Sequence, residues 1–475
     1  MKSIIKNIIK NKRYLIFFLI IVLYIIIKVN SFNYSYSDEN TYFYMGKLVA
    51  EGLTPYKDFF FSHPPLQVYL FALLIKIFGF NFLILKLTPL IFTVVSALFI
   101  YIIVCQKIGL REAILALLLF LFSYDSLRFS SYAVGVNLTT MFVVIGIYFL
   151  LNKKYFLSGI IYGAAAVSGL YSLVFPVVVL IILFLKNRKN FLRFLIGFGI
   201  VFLTVNSIFT AVAGRDYIKE VYEYHLAKPS EESNKFQVLG RLVRVNLLLF
   251  ASFFVYLFRR ILFKNKKFSI LSFTVIAYLL FLVLLQNIFG FYSMVMFPFL
   301  AILGSCSLGW IVRKNKVVLG IVLLLVISSA AWSINKYDGY DFQDFKNADG
   351  VVGFIKSNSK ESDTIYGDDS ITTILALLSD RRVTADFADS NNLIFRSGVV
   401  DLDETIQTLR AEKVKFIIIY KLKTPTRTGR FGPAFIDEFY EFVVSECSVA
   451  KEFKEEWVNE GVVYEKVVEV YGCEF

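Results

Sequence analysis

Long apolar runs separated by short polar connections occupy the first 335 residues of the chain. Runs of this kind, close to the ~20 residues that cross the hydrocarbon core of a bilayer, predict membrane-spanning α-helices. We expect about eleven spans, of which the third and the two that meet at Gly169 are short. The predicted spans cover approximately residues 14–29, 82–106, 112–124, 134–151, 155–170, 172–185, 194–213, 243–263, 268–285, 291–311 and 317–334.

Lysine and arginine residues are concentrated in every second connection between these spans. The positively charged connections are the amino-terminal tail, 107–111, 153–154, 186–193, 259–267 and 313–316. Because cytoplasmic loops carry an excess of Lys and Arg, we expect these connections to face the cytoplasm. An odd number of spans then places the amino terminus inside and everything after residue 335 outside. The basic tail is not followed by a small-residue cleavage site, so we interpret it as the cytoplasmic flank of the first span and not as a cleavable signal peptide.

The composition agrees with a multi-pass protein of the cell membrane. Hydrophobic residues make up 57% of the 475 residues, and the mean hydropathy is +0.65. The net charge of +13 is unevenly distributed, because residues 336–475 contain 17 basic and 26 acidic residues. The positive excess therefore lies in the membrane part, where it favours contact with anionic lipid head groups. Nothing in the pattern indicates a nucleic-acid partner.

The chain changes character near residue 336, where the apolar runs give way to alternating helix and strand patterns. Predicted helices cover about 344–357, 371–380, 402–412 and 433–446, and predicted strands cover 364–367, 383–387 and 415–420, before a hairpin around Asn459–Gly461. This order predicts a small extracytoplasmic α/β domain with a largely parallel sheet, residues 336–475, after a membrane domain, residues 1–335. Cys447 and Cys473 could pair in it, which the sequence leaves open.

The first outer loop, residues 30–81, carries the polar residues with the strongest chemical interest. Its pattern predicts two helices lying along the membrane surface, 38–51 before Gly52 and 65–79 ending at Gly79. Asp38 and Glu39 follow the first span by fewer than ten residues. A carboxylate held at a membrane surface near basic groups suits a general base. The competing interpretation is helix capping, since Ser37 or Asp38 fits an N-cap.

The ordered residues of this loop resemble a known family. The set D-E-x-x-Y, G-x-x-P-Y-x-D and H-P-P-L is similar to the polyprenyl-phosphate-dependent membrane glycosyltransferases of the GT-C fold, in particular the protein mannosyltransferases and lipid A aminoarabinose transferases. The motif covers residues 37–79, and the multispan layout with a trailing outer domain extends the likeness less specifically. The matching residues are Asp38, Glu39, Tyr42, Gly52, Pro55, Tyr56, Asp58, His63, Pro64, Pro65, Leu66 and Gly79.

The resemblance implies a reaction and roles for these residues. Asp38 would deprotonate the acceptor hydroxyl, Glu39 would support it, and residues 63–66 would shape the floor of the site. Tyr56, Asp58 and His63 are candidates for substrate binding. Asp58 stands where relatives often place a second acid, and His63 either binds the donor phosphate or the acceptor or caps its helix. The sugar, a hexose or pentose, would come from a polyprenyl-phosphate donor with inversion at the anomeric carbon. The acceptor would be a protein, lipid or glycan. Relatives often carry an acid at the start of the fourth span, where this chain has Asn137 as the candidate for substrate binding.

The departure at Asn137 leaves the contribution of the second outer turn open, because Asp125 either replaces the missing acid or is a simple loop residue. A phosphate leaving group also needs cations at head-group depth. The candidates on the outer face are Arg128, His225, Lys228, Arg241 and Arg244. Taken singly, each is also explained by snorkelling at the membrane interface.

Three functions remain compatible with these patterns. The leading hypothesis is a membrane glycosyltransferase, and the alternative is a multispan lipid or glycan transporter or flippase without transferase activity. A transporter favours charged or broken helices at mid-membrane and inverted repeats, which the sequence does not show. A third interpretation, a membrane anchor for an outer binding module, leaves the many spans unexplained. The carboxylate pair is compatible with a divalent metal ion or with none, and with two histidines in the chain no His-rich metal site is expected.

Overall fold

The computed structural model describes residues 12–30, 32–230, 235–262, 269–312, 315–338, 344–424, 428–459 and 462–475. Parts of the predicted basic connections (the tail up to residue 11, residues 263–267 and residues 313–314) and residues 460–461 of the predicted hairpin turn lie outside the described residues. The described part is mostly helical, with one sheet near the carboxyl end.

We number the α-helices in chain order. They are α1 Lys12–Val29, α2 Glu39–Ala50, α3 Leu66–Phe78, α4 Phe82–Lys107, α5 Leu110–Leu121, α6 Tyr124–Phe129, α7 Val136–Leu151, α8 Tyr155–Ala166, α9 Val174–Lys186, α10 Arg188–Ala213, α11 Arg215–Ile218, α12 Tyr224–Ala227, α13 Lys235–Val245, α14 Leu247–Leu262, α15 Ser269–Leu284, α16 Phe297–Ile311, α17 Lys316–Asp338, α18 Ala348–Asn358, α19 Asp369–Ser379, α20 Asn392–Arg396, α21 Leu402–Ala411 and α22 Asp437–Glu446.

Each of the eleven predicted spans coincides with a helix. Three of them, α4, α10 and α17, are by length and composition each sufficient to cross a membrane. A fourth crossing is formed if α13 and α14, which meet at a bend of 91°, are counted together. Several other apolar helices are shorter. The number of spans therefore stays a prediction, whereas the helical nature of all eleven apolar runs is confirmed.

By their internal contacts the residues divide into two compact units. The first comprises the described parts of 1–32, 86–206 and 230–340, and the second comprises those of 33–85, 207–229 and 341–475. The first unit is an all-helical body whose apolar core includes Tyr162, Phe175 and Phe299. The second unit contains the first outer loop, part of the loop after α10 and the carboxyl-terminal segment. The division at residue 335 stays a prediction of where the chain leaves the membrane.

Glycines allow two helices of the first unit to touch backbone to backbone. A Cβ atom on Gly159 of α8 would lie 2.1 Å from the Phe194 carbonyl oxygen of α10, and one on Gly197 of α10 would lie 2.2 Å from the Phe156 carbonyl oxygen. A Cβ atom on Gly163, one turn after Gly159, would lie 2.9 Å from the Phe198 carbonyl oxygen of α10. Small residues four apart are a common means of packing membrane helices closely.

The sheet of the second unit is mixed, which corrects the expectation of a largely parallel sheet. Its strands are β1 Thr364–Gly367, β2 Arg382–Val383, β3 Phe416–Lys423, β4 Thr428–Arg430, β5 Cys447–Asn459 and β6 Val462–Cys473. The order is β2-β1-β3-β6-β5, with β4 paired to β3. Strands β2, β1 and β3 are parallel, because helices connect them, while β6 is antiparallel to both β3 and β5.

One strand of this domain departs from the sequence pattern. The predicted strand 383–387 is reduced to Arg382–Val383, because Ala385 and Asp386 both have positive φ and the chain turns into a short 3₁₀ segment. The remaining helices and strands lie within a few residues of their predicted bounds. A disulfide joins Cys447 at the start of β5 to Cys473 at the end of β6, so the pairing that the sequence left open is made.

The two helices of the first outer loop form as predicted. Helix α2 ends before Gly52, whose φ of 106° suits only glycine well, and α3 ends before Gly79 with φ of 70°. Pro65 occupies the N-cap position of α3, where its missing N–H costs nothing. These two helices pack against each other through Phe43, Gly46 and Phe71, and they carry the first candidate residues.

Candidate functional site

Asp38 lies at the entrance of α2 with its side chain exposed to solvent. Its backbone is already helical, and its carboxylate makes no capping hydrogen bond to the helix. The capping interpretation therefore does not explain this residue. Glu39 is different, because it is 1% exposed and its Oε1 accepts a hydrogen bond of 3.1 Å from the Ser35 hydroxyl. Of the two acids, Asp38 is the one exposed to solvent.

The first turn of α2 is fixed against the first turn of α19, which belongs to the carboxyl-terminal segment. The Asn40 side-chain amide donates to the backbone carbonyls of Ser370 at 2.6 Å and of Ser35 at 2.7 Å. The Ser37 N–H donates to the Ser370 carbonyl at 3.2 Å, and the Thr41 hydroxyl donates to the Asp369 carbonyl at 3.2 Å. Asp38 thus stands at a joint between two segments more than 300 positions apart in sequence.

Three further acids surround this joint. Asp368 and Asp369 directly follow β1, and Asp389 lies in the loop after the 3₁₀ segment 384–386. Burial raises the pKa of Asp368 to about 6 and that of Asp389 to about 6, with Asp38 adding to both increases. Burial, followed by Asp389, Asp368 and Asp38, raises the pKa of Asp369 well above its usual range. Burial and neighbouring negative charge therefore favour the protonated form of each of these three acids.

A cationic and imidazole cluster occupies the same unit. Tyr42, one helical turn after Asp38, stacks on His63 with 5.7 Å between ring centroids, and His63 lies 5.5 Å from the ring of His225. Burial, His225 and Lys228 lower the pKa of His63 well below its ordinary value. Burial and Lys228 lower the pKa of His225 to about 4. Both imidazoles are neutral at pH 7, which leaves the Lys228 ammonium as the charged donor of the cluster.

Tyr56 and His225 hold the backbone of the loop at Ser62 and His63 in place. The Tyr56 hydroxyl donates to the His63 carbonyl at 2.7 Å, and the Tyr56 ring packs on Tyr217. The His225 Nε2 atom lies 2.8 Å from the Ser62 carbonyl oxygen. Tyr56 therefore acts on the position of His63, and its 2% exposure leaves little of it for a ligand. The exposed Asp58 accepts a 2.7 Å hydrogen bond from the Thr54 N–H, which closes its own turn.

Glu220 is a site residue that the sequence did not single out. It is 9% exposed, and its Oε2 accepts a 2.8 Å hydrogen bond from the Phe61 N–H, two residues before His63. Burial is the main cause that raises the pKa of Glu220 to about 8, against the lowering effect of the Phe61 hydrogen bond. Its neighbours in the sequence YIKEVYEYH gave no signal, because alternating charged and aromatic residues are ordinary in an interfacial loop.

The remaining candidates lie in the first unit. Asp125 is buried and exchanges two hydrogen bonds with Asn246, its N–H donating at 3.2 Å and its Oδ2 accepting at 2.7 Å. Burial raises the pKa of Asp125, while Asn246, Arg241 and Arg128 oppose the increase. Arg128 and Arg241 are partly buried, and Arg244 is exposed. The predicted acid and two of the predicted cations are thus electrostatic partners.

Asn137 is occupied by internal hydrogen bonds. Its amide donates to the carbonyls of Phe129 at 2.8 Å and Tyr132 at 3.0 Å, and its side-chain oxygen accepts from Thr93 at 3.3 Å. It holds the turn that precedes α7. Among the described residues, no group of three or more His, Cys, Asp or Glu side chains is arranged to hold a metal ion.

The sequence also did not single out the acids at 368, 369 and 389 or the amide of Asn246. Each of these residues lies far in sequence from the residue with which it interacts, so the local spacing of residues does not predict the interaction. Asp368 carried a weak signal, since a pair of acids directly after a predicted strand sits at the carboxyl edge of a parallel sheet, where α/β proteins bind ligands.

The chain superposes on solved glycosyltransferase structures, and this likeness confirms the GT-C fold that the resemblance in the sequence implied. The chain is similar in structure to ArnT from Cupriavidus metallidurans in the apo state (TM-score 0.65, 13% identity), with 95% of this chain and 97% of that chain covered. The match to the same protein bound to undecaprenyl phosphate has a TM-score of 0.65 and 14% identity, again over 95% and 97% of the two chains.

A second solved structure shares the fold at lower similarity. The oligosaccharyltransferase of Archaeoglobus fulgidus, in complex with Zn and sulfate, superposes with a TM-score of 0.56 and 12% identity over 87% of this chain and 72% of that chain. No family model and no curated protein matches the sequence. At these identities the likeness establishes the fold alone.

Proposed function

We propose that the protein is an integral membrane glycosyltransferase that moves a sugar from a polyprenyl-phosphate carrier to an acceptor hydroxyl at the outer membrane face. One observation carries the proposal: the exposed carboxylate of Asp38 and a cluster of His63, His225 and Lys228 belong to one compact unit. Tyr42 and Asp389 link them, because Tyr42 stacks on His63 and Asp389 interacts electrostatically with both Asp38 and Lys228. A base and a phosphate-binding cation are the two groups that this transfer needs.

The chemistry is a single displacement. The Asp38 carboxylate accepts the proton of the acceptor hydroxyl while that oxygen bonds to the anomeric carbon. The bond from this carbon to the phosphate oxygen breaks, and its electron pair leaves with the polyprenyl phosphate, so the configuration inverts. The Lys228 ammonium stabilises the negative charge that develops on the phosphate, and the neutral imidazoles of His63 and His225 can donate hydrogen bonds to it. A phosphate is a good leaving group, so no protonating acid is required.

The structural neighbours support the donor class. ArnT was crystallised with undecaprenyl phosphate bound, and this chain shares its fold over nearly its full length. We therefore propose a long-chain polyprenyl phosphate as carrier. Asp125 with Arg241 and Arg128 forms a second polar cluster, which belongs to the first unit.

The experiment uses the purified protein in detergent or nanodiscs with undecaprenyl-phosphate-linked sugars and a membrane extract as the source of acceptors. We expect Asp38→Asn to reduce sugar transfer by about 10²–10⁴-fold, the usual range for loss of a general base. The matched control is Asp380→Asn, an acid of the same unit whose side chain is 82% exposed. Wild-type transfer by Asp38→Asn would refute the base, and lipid movement across vesicles without any transfer would favour the transporter.

A further inference from the structure

The backbone that carries His63 lies outside the helices and strands, so its polar groups are bonded by side chains instead. Phe61 and Ser62 are 1% and 4% exposed, and buried backbone groups need partners within the protein. The Phe61 N–H donates to Glu220 Oε2 at 2.8 Å, and the Ser62 carbonyl oxygen accepts from His225 Nε2 at 2.8 Å. Two side chains from a distant segment therefore hold the two residues before His63.

Glu220 and His225 belong to one helical stretch that contains a π turn. The stretch runs from α11 through the π-helical turn Lys219–Glu223 into α12, and the Tyr224 N–H donates to the carbonyl of the residue five positions back. In an α-helix, residues five apart lie about 140° from each other around the axis. Hydrogen bonds between residues five apart widen the turn and bring such positions towards the same side. The π turn thus directs Glu220 and His225 to the same piece of backbone.

The same helical stretch is anchored to other parts of its compact unit. The Lys219 ammonium donates to the Val399 carbonyl at 3.0 Å, which ties the π turn to the carboxyl-terminal segment. The Tyr217 ring packs on Tyr56 with 4.9 Å between centroids, and the Tyr56 hydroxyl donates to the His63 carbonyl at 2.7 Å. Three consecutive residues of the loop are therefore held, directly or through Tyr56, by one helical stretch.

This arrangement fixes the place of the His63 ring. The ring stacks on Tyr42 at 5.7 Å and lies 5.5 Å from the ring of His225. The His63 side chain is half-buried and can still meet a ligand, whereas Glu220 is buried behind the loop that it bonds. A π turn is rare and occurs often at functional sites, which agrees with a role in holding this imidazole.

We propose that the π turn Lys219–Glu223 positions the His63 imidazole for the phosphate of the polyprenyl carrier, and that Glu220 transmits this position through the Phe61 N–H. The inference rests on the proposed function, in which His63 donates a hydrogen bond to that phosphate. Glu220 is a positioning residue, which acts through the loop backbone and touches neither the donor nor the acceptor.

The test uses the full-length protein in nanodiscs, with radiolabelled undecaprenyl phosphate as the ligand probe. Glu220→Leu removes the acceptor of the buried Phe61 N–H, so the loop should loosen. Because the chain has two histidines, labelling with diethyl pyrocarbonate and peptide mass spectrometry follow each imidazole separately. We expect His63 to be labelled roughly fivefold faster or more, and the Kd for undecaprenyl phosphate to rise about tenfold, since an unsatisfied buried N–H is costly.

Three further variants separate positioning from a general loss of structure. Glu220→Gln keeps an oxygen for the Phe61 N–H and should restore the wild-type labelling rate and Kd. Glu223→Leu, the matched control, makes the same change at an exposed position of the π turn and should also behave as wild type. Deletion of Glu223 converts the π turn into an α-helical one and turns His225 away, so it should act like Glu220→Leu. Thermal unfolding of each variant reports that it is folded.

The outcomes distinguish this inference from the proposed function. A wild-type labelling rate of His63 in folded Glu220→Leu protein would overturn the inference, and so would faster labelling with an unchanged Kd. Neither measurement depends on proton transfer to Asp38. Failure of the proposed function would appear instead as wild-type sugar transfer by Asp38→Asn.

Discussion

At the scale of single residues, burial sets the chemistry of the site more than residue type does. Glu39 and Asp38 are adjacent, yet one is buried and bonded to Ser35 while the other is exposed. Asp38 and His63 could be selected from the sequence, because polar residues beside a membrane span are costly. Glu220 and Asp389 could not, since the residues with which they interact, Phe61 and Asp38, are far away in sequence.

Glu220 gives a stability prediction with a definite sign. Its pKa in the folded protein is about 8, above the ordinary value of 4.5. The stabilising contribution of the protonated form is therefore complete below pH 4.5 and is lost as the pH rises towards 8. We expect Glu220→Gln, which keeps an acceptor for the Phe61 N–H, to stabilise the protein at pH 8 by roughly 2 kcal/mol and to be neutral near pH 5.

The measurement is thermal unfolding of the purified protein in detergent at pH 5 and pH 8. Glu223→Gln, which changes an exposed acid of the same loop, is the control and should shift neither melting temperature. Equal effects of Glu220→Gln at both pH values would show that Glu220 is ionised in the folded protein. His225 makes the stability depend on pH in the opposite direction. Its pKa is lowered to about 4, so protonation of the imidazole destabilises the folded protein as the pH falls below 6.5.

At the scale of helices and strands, local patterns predict where each element lies but not what it contacts. The apolar runs, Gly52, Gly79 and the prolines at 64 and 65 were sufficient to predict α2 and α3. The docking of α2 on α19 was not predictable, because its hydrogen bonds use backbone carbonyls, which every residue has. The mixed sheet was missed for a similar reason, since strand direction depends on the connection and on pairing with β6.

The glycine contact between α8 and α10 provides a test at this scale. Gly197→Ala would place a methyl group 2.2 Å from the Phe156 carbonyl oxygen, so the helices must separate and the protein should lose about 1–3 kcal/mol of stability. Gly199→Ala is the matched control in the same helix, because its Cβ has only Leu203, at 3.8 Å, nearby.

The two substitutions should change the stability of the protein in opposite directions. Alanine favours a helix over glycine by about 1 kcal/mol, so Gly199→Ala should leave the melting temperature unchanged or raise it. The melting temperature in detergent and the fraction of monodisperse protein report both effects. A Gly197→Ala protein as stable as Gly199→Ala would show that α8 and α10 do not pack through these glycines.

At the scale of the whole molecule, the distribution of charge and the disulfide both bear on which side of the membrane the carboxyl-terminal domain occupies. The Lys and Arg pattern predicts that residues after 335 lie outside the cell. Disulfides form and persist outside the cytosol and are rare within it. The bond between Cys447 and Cys473 is the outcome expected for a domain on the outer side.

Thiol labelling in cells tests this topology. In a Cys105→Ser/Cys306→Ser background, the two remaining cysteines should resist a maleimide-polyethylene glycol reagent after denaturation and should both react once a reductant is added. The gel shift reads the number of labels. Two labels without reductant, in protein extracted under conditions that trap thiols, would place the domain on the reducing side and contradict the predicted orientation.

The sequence by itself determined the membrane class, the apolar helices, the two loop helices and the acid that we would replace first. These follow from local physics, since hydrophobic length, helix-ending glycines and the cost of a polar residue beside lipid act over neighbouring positions. Only the tertiary structure decided that Asp38 is exposed, that Glu39 is buried, and that Asp368, Asp369 and Asp389 stand beside the proposed base. Electrostatic influence depends on distance in space and on burial, and neither quantity is contained in the spacing of residues along a chain.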